Sequence, residues 1–176
     1  MPPALPFLER ILEGRAAPAA ILLALSAATL AGALLFQYAG GLVPCELCLY
    51  ERYPHEATIA AALIALLLRE RRARGGALLL AALAASVGTG LAFYHIGVER
   101  HWWEGSAACT GSIVTGAAHS LEALRQQILN TPVARCDRVS WSLFGLSLAG
   151  YNFLISLALA LFALLAGRRA LGRGSR

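Results

Sequence analysis

The stretch Cys45-Glu46-Leu47-Cys48 carries the clearest chemistry in this sequence. A disulfide across two intervening residues closes a very small loop, and the chain-entropy stabilisation of a disulfide grows with loop length. Such a pair suits redox exchange better than stapling a fold. Arg52 follows Cys48 by four residues. Residues four apart share a helix face, so Arg52 is placed to stabilise a Cys48 thiolate or a developing anion on a bound acceptor. On spacing alone, a headgroup contact or a pairing with Glu51 or Glu56 serves equally well. Glu46, inside the pair, opposes thiolate formation. The other two cysteines, Cys109 and Cys136, are accounted for by an ordinary structural disulfide, and four cysteines allow three connectivities. Only one pair has C-x-x-C spacing, so no metal centre is expected. Leu49 stands where a C-x-x-C-H haem attachment needs His.

The elements that hold these residues are apolar helices. The chain has 176 residues, of which 58% are hydrophobic and 14% charged. Soluble domains run at about 45–50% and about 25%, so an ordinary soluble domain and a disordered chain are both excluded. Residues 1–176 read as one all-α membrane domain, a four-helix transmembrane bundle. The spans are expected at about 18–38, 48–68, 77–98 and 143–166, since about 20 helical residues cross a bilayer core. The second is unusual. Its uncharged run, Ala57 to Leu68, covers only about 18 Å as a helix. To cross, it must begin near Cys48, which carries Arg52, His55 and Glu56 into the outer membrane, where ionisable groups are usually functional. Pro54 either opens that helix or kinks it.

Orientation follows from arginine. All fifteen basic residues are Arg, and the formal charge is +5. Ten of them (10, 15, 69, 71, 72, 74, 168, 169, 173, 176) flank the spans on one face, which marks it as cytoplasmic. Membrane orientation explains the basic balance, and no nucleic acid is expected as a partner. Both termini then lie inside. All four Cys lie outside, in or beside loops at about 39–47 and 99–142, in a compartment where disulfides persist. In the second loop Ile113, Ala117, Leu121, Leu124 and Ile128 recur at helical spacing, the pattern of a short amphipathic interfacial helix. Trp102 and Trp103 suit interfacial anchoring. Gly88 and Gly90 read as sites of close helix packing, and His55, His101 and His119 as surface or interfacial polar groups.

Several stretches closely resemble the disulfide bond formation protein B (DsbB) family of bacterial inner-membrane thiol:quinone oxidoreductases. They are Pro44-Cys-Glu-Leu-Cys-Leu-Tyr-Glu-Arg52, Tyr94-His95, Cys109, Cys136-Asp137, and Leu143-Phe-Gly-Leu-Ser-Leu-Ala-Gly-Tyr-Asn152. The resemblance implies that Cys109 forms a mixed disulfide with a reduced DsbA-like periplasmic thiol oxidase and that Cys136 is its disulfide partner. Electrons would then pass to Cys45–Cys48, and Cys48 would lie against a membrane quinone, ubiquinone or menaquinone. It implies that Arg52 holds or polarises the quinone and that His95 lies nearby; Glu51, beside Arg52, is grouped with them. It also implies a multi-pass protein of the bacterial inner membrane that sustains disulfide formation in exported proteins. A vitamin K epoxide reductase-like oxidoreductase is the related alternative, but there the C-x-x-C follows the loop cysteines and here it precedes them. A non-enzymatic membrane protein with structural disulfides, or a thiolate metal carrier, is the other class.

Overall fold

The computed structural model describes residues 11–12, 14–106, 109 and 134–172. Their elements are α1 (Ala17–Tyr38), α2 (Glu46–Tyr50), α3 (Arg52–Leu67), α4 (Arg71–Glu99), a hairpin of β1 (Ser142–Leu143) and β2 (Leu146–Ser147), and α5 (Leu148–Gly172). Three of them, α1, α4 and α5, are long and apolar enough to cross a membrane. The expected interfacial helix at 113–128 and His119 lie outside the described residues.

Alanine and leucine are sorted by side. Ala62, Ala65, Ala81 and Ala163 are fully buried where the helices meet, together with Leu22 and Leu78. Leu67, Leu80, Leu83 and Leu161 point outward and are more than half exposed. In water that arrangement would waste apolar burial. In lipid it is favourable, because helix association there relies on close backbone approach rather than on hiding leucine. The most extensive packing is α4 on α5, followed by α3 on α4 and α1 on α3. Arg71, at the start of α4, donates from Nε to the Ala170 carbonyl (3.1 Å) and from Nη2 to that of Arg169 (3.4 Å). A cation thereby satisfies the last carbonyls of α5.

The second expected span, 48–68, is divided. α2 ends at Tyr50 and α3 begins at Arg52, with Glu51 in a helical conformation between them. Pro54 explains the division: it has no N–H to give the Tyr50 carbonyl, and its ring crowds that carbonyl. The third expected span began at 77, but α4 already starts at Arg71, where the Glu70 side chain caps it by accepting from the Arg72 and Ala73 amides. The fourth was expected to begin at 143. Residues 142–147 instead form an antiparallel hairpin, with Phe144 (φ 50°) and Gly145 (φ 79°) at its tip. Two consecutive positive φ values are the signature of a type I′ turn, which glycine favours. The apolar residues around it mimic a span by composition, but the helix starts only at Leu148.

Of the two glycines expected to pack closely, one does. A Cβ on Gly88 would lie 3.0 Å from Pro54 Cβ and 3.3 Å from Ser156 Oγ, whereas Gly90 faces open space. Gly88→Leu is therefore expected to destabilise the protein by about 1–3 kcal/mol through overpacking. Gly90→Leu should be neutral or stabilising, because leucine is the better helix former. Thermal unfolding in detergent separates the two. Equal losses from both variants would contradict this packing.

Candidate redox site

The C-x-x-C forms the first turn of α2. Cys45 is its N-cap, in an extended conformation, and Sγ of Cys45 accepts from the Cys48 amide at 3.2 Å. An orphan amide at a helix N-terminus thus points at sulfur, where it favours the thiolate. Hydrogen bonding from Cys48, first through its side chain and then through this amide, holds the Cys45 thiol below its ordinary range, against burial and the Glu51 charge. The Glu46 carboxylate, inside the pair, accepts from Tyr50 (2.9 Å) and Ser106 (3.2 Å).

Behind Cys45 lies a chain of buried polar groups. His95 Nε2 is 3.6 Å from Cys45 Sγ, and His95 Nδ1 is 2.7 Å from Glu51 Oε1. Glu51 Oε2 accepts from Asn152 Nδ2 at 2.8 Å, and Asn152 Oδ1 is 2.8 Å from His55 Nε2. Glu51, His55 and His95 are all buried. Donor and acceptor roles follow from the carboxylate, which only accepts. It requires the amide nitrogen of Asn152 and a proton on His95 Nδ1. Asn152 must then turn its oxygen to His55, which donates from Nε2. In neutral His95 the second nitrogen is left as a lone pair facing Cys45. Glu51 therefore makes His95 a proton acceptor for the Cys45 thiol.

All five residues expected here from the first loop and the two neighbouring helices, Cys45, Cys48, Glu51, Arg52 and His95, line one cavity of about 380 Å³. Its walls are largely apolar, contributed by α1 and α5, and the tilted ring pair Phe36–Trp141 (5.0 Å between centroids) sits on its lining. Arg52 Nη2 donates to Gln37 Oε1 at 2.7 Å, while the buried Nε has no partner among the described residues. Arg52 pairs with neither Glu51 nor Glu56 there.

Cys109 and Cys136 are joined by a disulfide, with Cα atoms 5.0 Å apart, and Cys45 and Cys48 are thiols. Both bridged cysteines are fully buried in one cluster with Cys45, Leu47 and Val98, and Cys48 packs against it. The two sulfur pairs thus meet in one buried cluster, and Cys45 and Cys48 also line the cavity. Sequence reasoning missed Gln37, His55 and Asn152. The available signal was polarity: Gln37 and Asn152 are amides at the ends of apolar spans, and His55 belongs in the core rather than at the surface.

The disulfide bond formation protein DsbB family model matches residues 15–166. The chain belongs to the DsbB family. It is 36% identical over 143 residues to a disulfide bond formation protein B of Verminephrobacter eiseniae, covering 79% of each chain. It is 30% identical over 148 residues to the protein of that name from Xanthomonas euvesicatoria, covering 82% of this chain and 85% of the relative. An uncharacterized protein of Rickettsia prowazekii is 30% identical over 142 residues, covering 81% of each. No solved structure matches. As a DsbB-type protein this is a multi-pass membrane protein of disulfide bond formation, which agrees with its three apolar helices.

The hydrogen bonds to Cys45 have a titration consequence. A lowered thiol pKa means that the reactive thiolate is present at lower pH than in an ordinary cysteine. Cys48→Ala removes the side-chain hydrogen bond and should move the pH midpoint of Cys45 alkylation upward in otherwise reduced protein. An unchanged or lower midpoint, read by mass spectrometry of the Cys45 peptide, would contradict the assignment.

Proposed function

We propose that this DsbB-family protein is a protein-disulfide:quinone oxidoreductase that reoxidises a DsbA-like periplasmic dithiol. The observation that carries the proposal is Arg52, a half-buried guanidinium whose buried Nε has no partner among the described residues, on the apolar cavity that Cys45 and Cys48 also line. Guanidinium is always charged and presents a fixed fork of donors, which suits a carbonyl gaining negative charge in a low-dielectric site. The cavity volume is in the range of small-molecule sites, and a lipid-soluble ring reaches it from the membrane.

In this reading the bundle has four spans, with α2 and α3 together forming the second. Its termini are cytoplasmic and its cysteines periplasmic, as the arginine distribution requires. A thiolate of the partner attacks Cys109 and releases Cys136, and the partner's second thiol then displaces Cys109. The reduced Cys109 and Cys136 pass two electrons to a Cys45–Cys48 disulfide by the same exchange. Their burial beside Cys45 supports that direct hand-over. A bound quinone supplies a two-electron, two-proton acceptor. As the Cys45–Cys48 bond re-forms, His95 Nε2 takes the Cys45 proton, Glu51 stabilises the resulting imidazolium, and Arg52 would hold an oxygen of the bound acceptor. Two thiols become one disulfide in the partner, and one quinone becomes one quinol.

Anaerobic mixing of the purified protein with a reduced DsbA-like protein and ubiquinone or menaquinone, followed by quinone absorbance, tests the reading. Loss of one equivalent of quinone per partner disulfide is expected, and no loss with either quinone would reject it. Cys48→Ser should abolish this reaction while the protein still inserts in the membrane. Arg52→Ala should lower kcat/KM for the quinone by about 10- to 100-fold, the usual effect of removing a charged hydrogen bond. Wild-type kinetics would reduce Arg52 to a partner of Gln37.

A further inference from the structure

Three soft ligand atoms converge at the redox site. Sγ of Cys45, Sγ of Cys48 and a ring nitrogen of His95 all lie within 4.8 Å of one another. Zinc bonds of about 2.3 Å to sulfur and about 2.0–2.1 Å to nitrogen, at a tetrahedral angle, place the two ligand atoms about 3.6 Å apart. The separation of Cys45 Sγ and His95 Nε2 is 3.6 Å. The hydrogen bond that orients such a histidine is also present. Histidine ligands to zinc almost always give their other N–H to a carboxylate or carbonyl, which fixes the ring and raises its basicity. His95 gives Nδ1–H to Glu51 at 2.7 Å, and Glu51 is itself fixed by Asn152. Sequence spacing gave only two thiols here. His95 stands 50 residues from Cys45 and supplies the third ligand.

We propose that the reduced Cys45–Cys48 pair and His95 form a three-ligand site for a thiophilic divalent cation, with Zn²⁺ as the natural probe. Binding forms two metal–sulfur bonds and one metal–nitrogen bond and releases the two thiol protons to solvent, with no change of oxidation state. The fourth position faces the cavity and is left to water or a small ligand. A disulfide between Cys45 and Cys48 has no thiolate to offer, so the site exists only in the reduced protein. The cation therefore holds the pair reduced and opposes the re-formation of its disulfide. This goes beyond the proposed oxidoreductase reaction and does not require it, since metal uptake is read without quinone or partner.

The test uses full-length detergent-solubilised protein, reduced anaerobically and freed of reductant, with Co²⁺ as a spectroscopic probe. One Co²⁺ per chain is expected, with thiolate-to-metal charge transfer and four-coordinate ligand-field bands that Zn²⁺ displaces. Oxidised protein should give neither. The Cys109→Ser/Cys136→Ser protein should keep the bands, and Cys45→Ser/Cys48→Ser should lose them. His95→Ala should weaken Zn²⁺ affinity by at least tenfold, and Glu51→Gln by about 10- to 100-fold. Bands that persist without Cys45 and Cys48, or an affinity indifferent to His95, would overturn the site. Should the Cys109/Cys136 variant fail to fold, alkylation of reduced wild-type protein decides: Zn²⁺ must protect Cys45 and Cys48, and equal labelling with and without Zn²⁺ would overturn the proposal.

Discussion

A carboxylate buried between apolar helices is costly unless its oxygens are filled by donors. Glu51 meets that demand with His95 on one oxygen and Asn152 on the other. These contacts join the α2–α3 junction to α4 and α5, so a single charged group ties three parts of the fold together. The break at Pro54 follows the same geometry: Glu51 sits at the joint between α2 and α3, with Cys48 on one side and Arg52 on the other. Losing the Glu51 charge would leave His95 and Asn152 without their acceptor and release the orientation of the imidazole beside Cys45.

The site has two faces that do different work. On one, Cys45 packs against the Cys109–Cys136 disulfide in a buried cluster. On the other, the same cysteine pair borders an apolar cavity with the half-buried Arg52 on its lining. In the proposed reaction the sulfur of Cys45, close to His95 and accepting from the Cys48 amide, is where proton and electron transfer coincide. The same closeness makes the reduced pair a good ligand set for a soft cation.

What could be read from the sequence follows the range of each interaction. The C-x-x-C pair and the position of Arg52 four residues on are local, and spacing alone pointed to them. The apolar runs of α1, α4 and α5 were legible because lipid demands length and apolarity from a single segment. His95 and Glu51 entered through family resemblance, not through spacing. His55 and Asn152, 97 residues apart in the chain, were not legible as a pair: their contact depends on the rotation of α3 against α5, which no local pattern encodes. The hairpin at 142–147 escaped notice because a tight turn of leucine, phenylalanine and glycine has the composition of a span. Gly145 marked it, but composition outweighed that signal.

Nitrogen-resolved NMR of the His95 ring in ¹⁵N-histidine-labelled protein, assigned with a His95→Gln control, is the most direct measurement. With Glu51 accepting from the ring, Nδ1 must carry a proton whether the imidazole is neutral or charged. A His95 that is protonated at Nε2 alone, with Nδ1 bare, would place the lone pair on the wrong side of the ring and contradict its role as acceptor of the Cys45 proton.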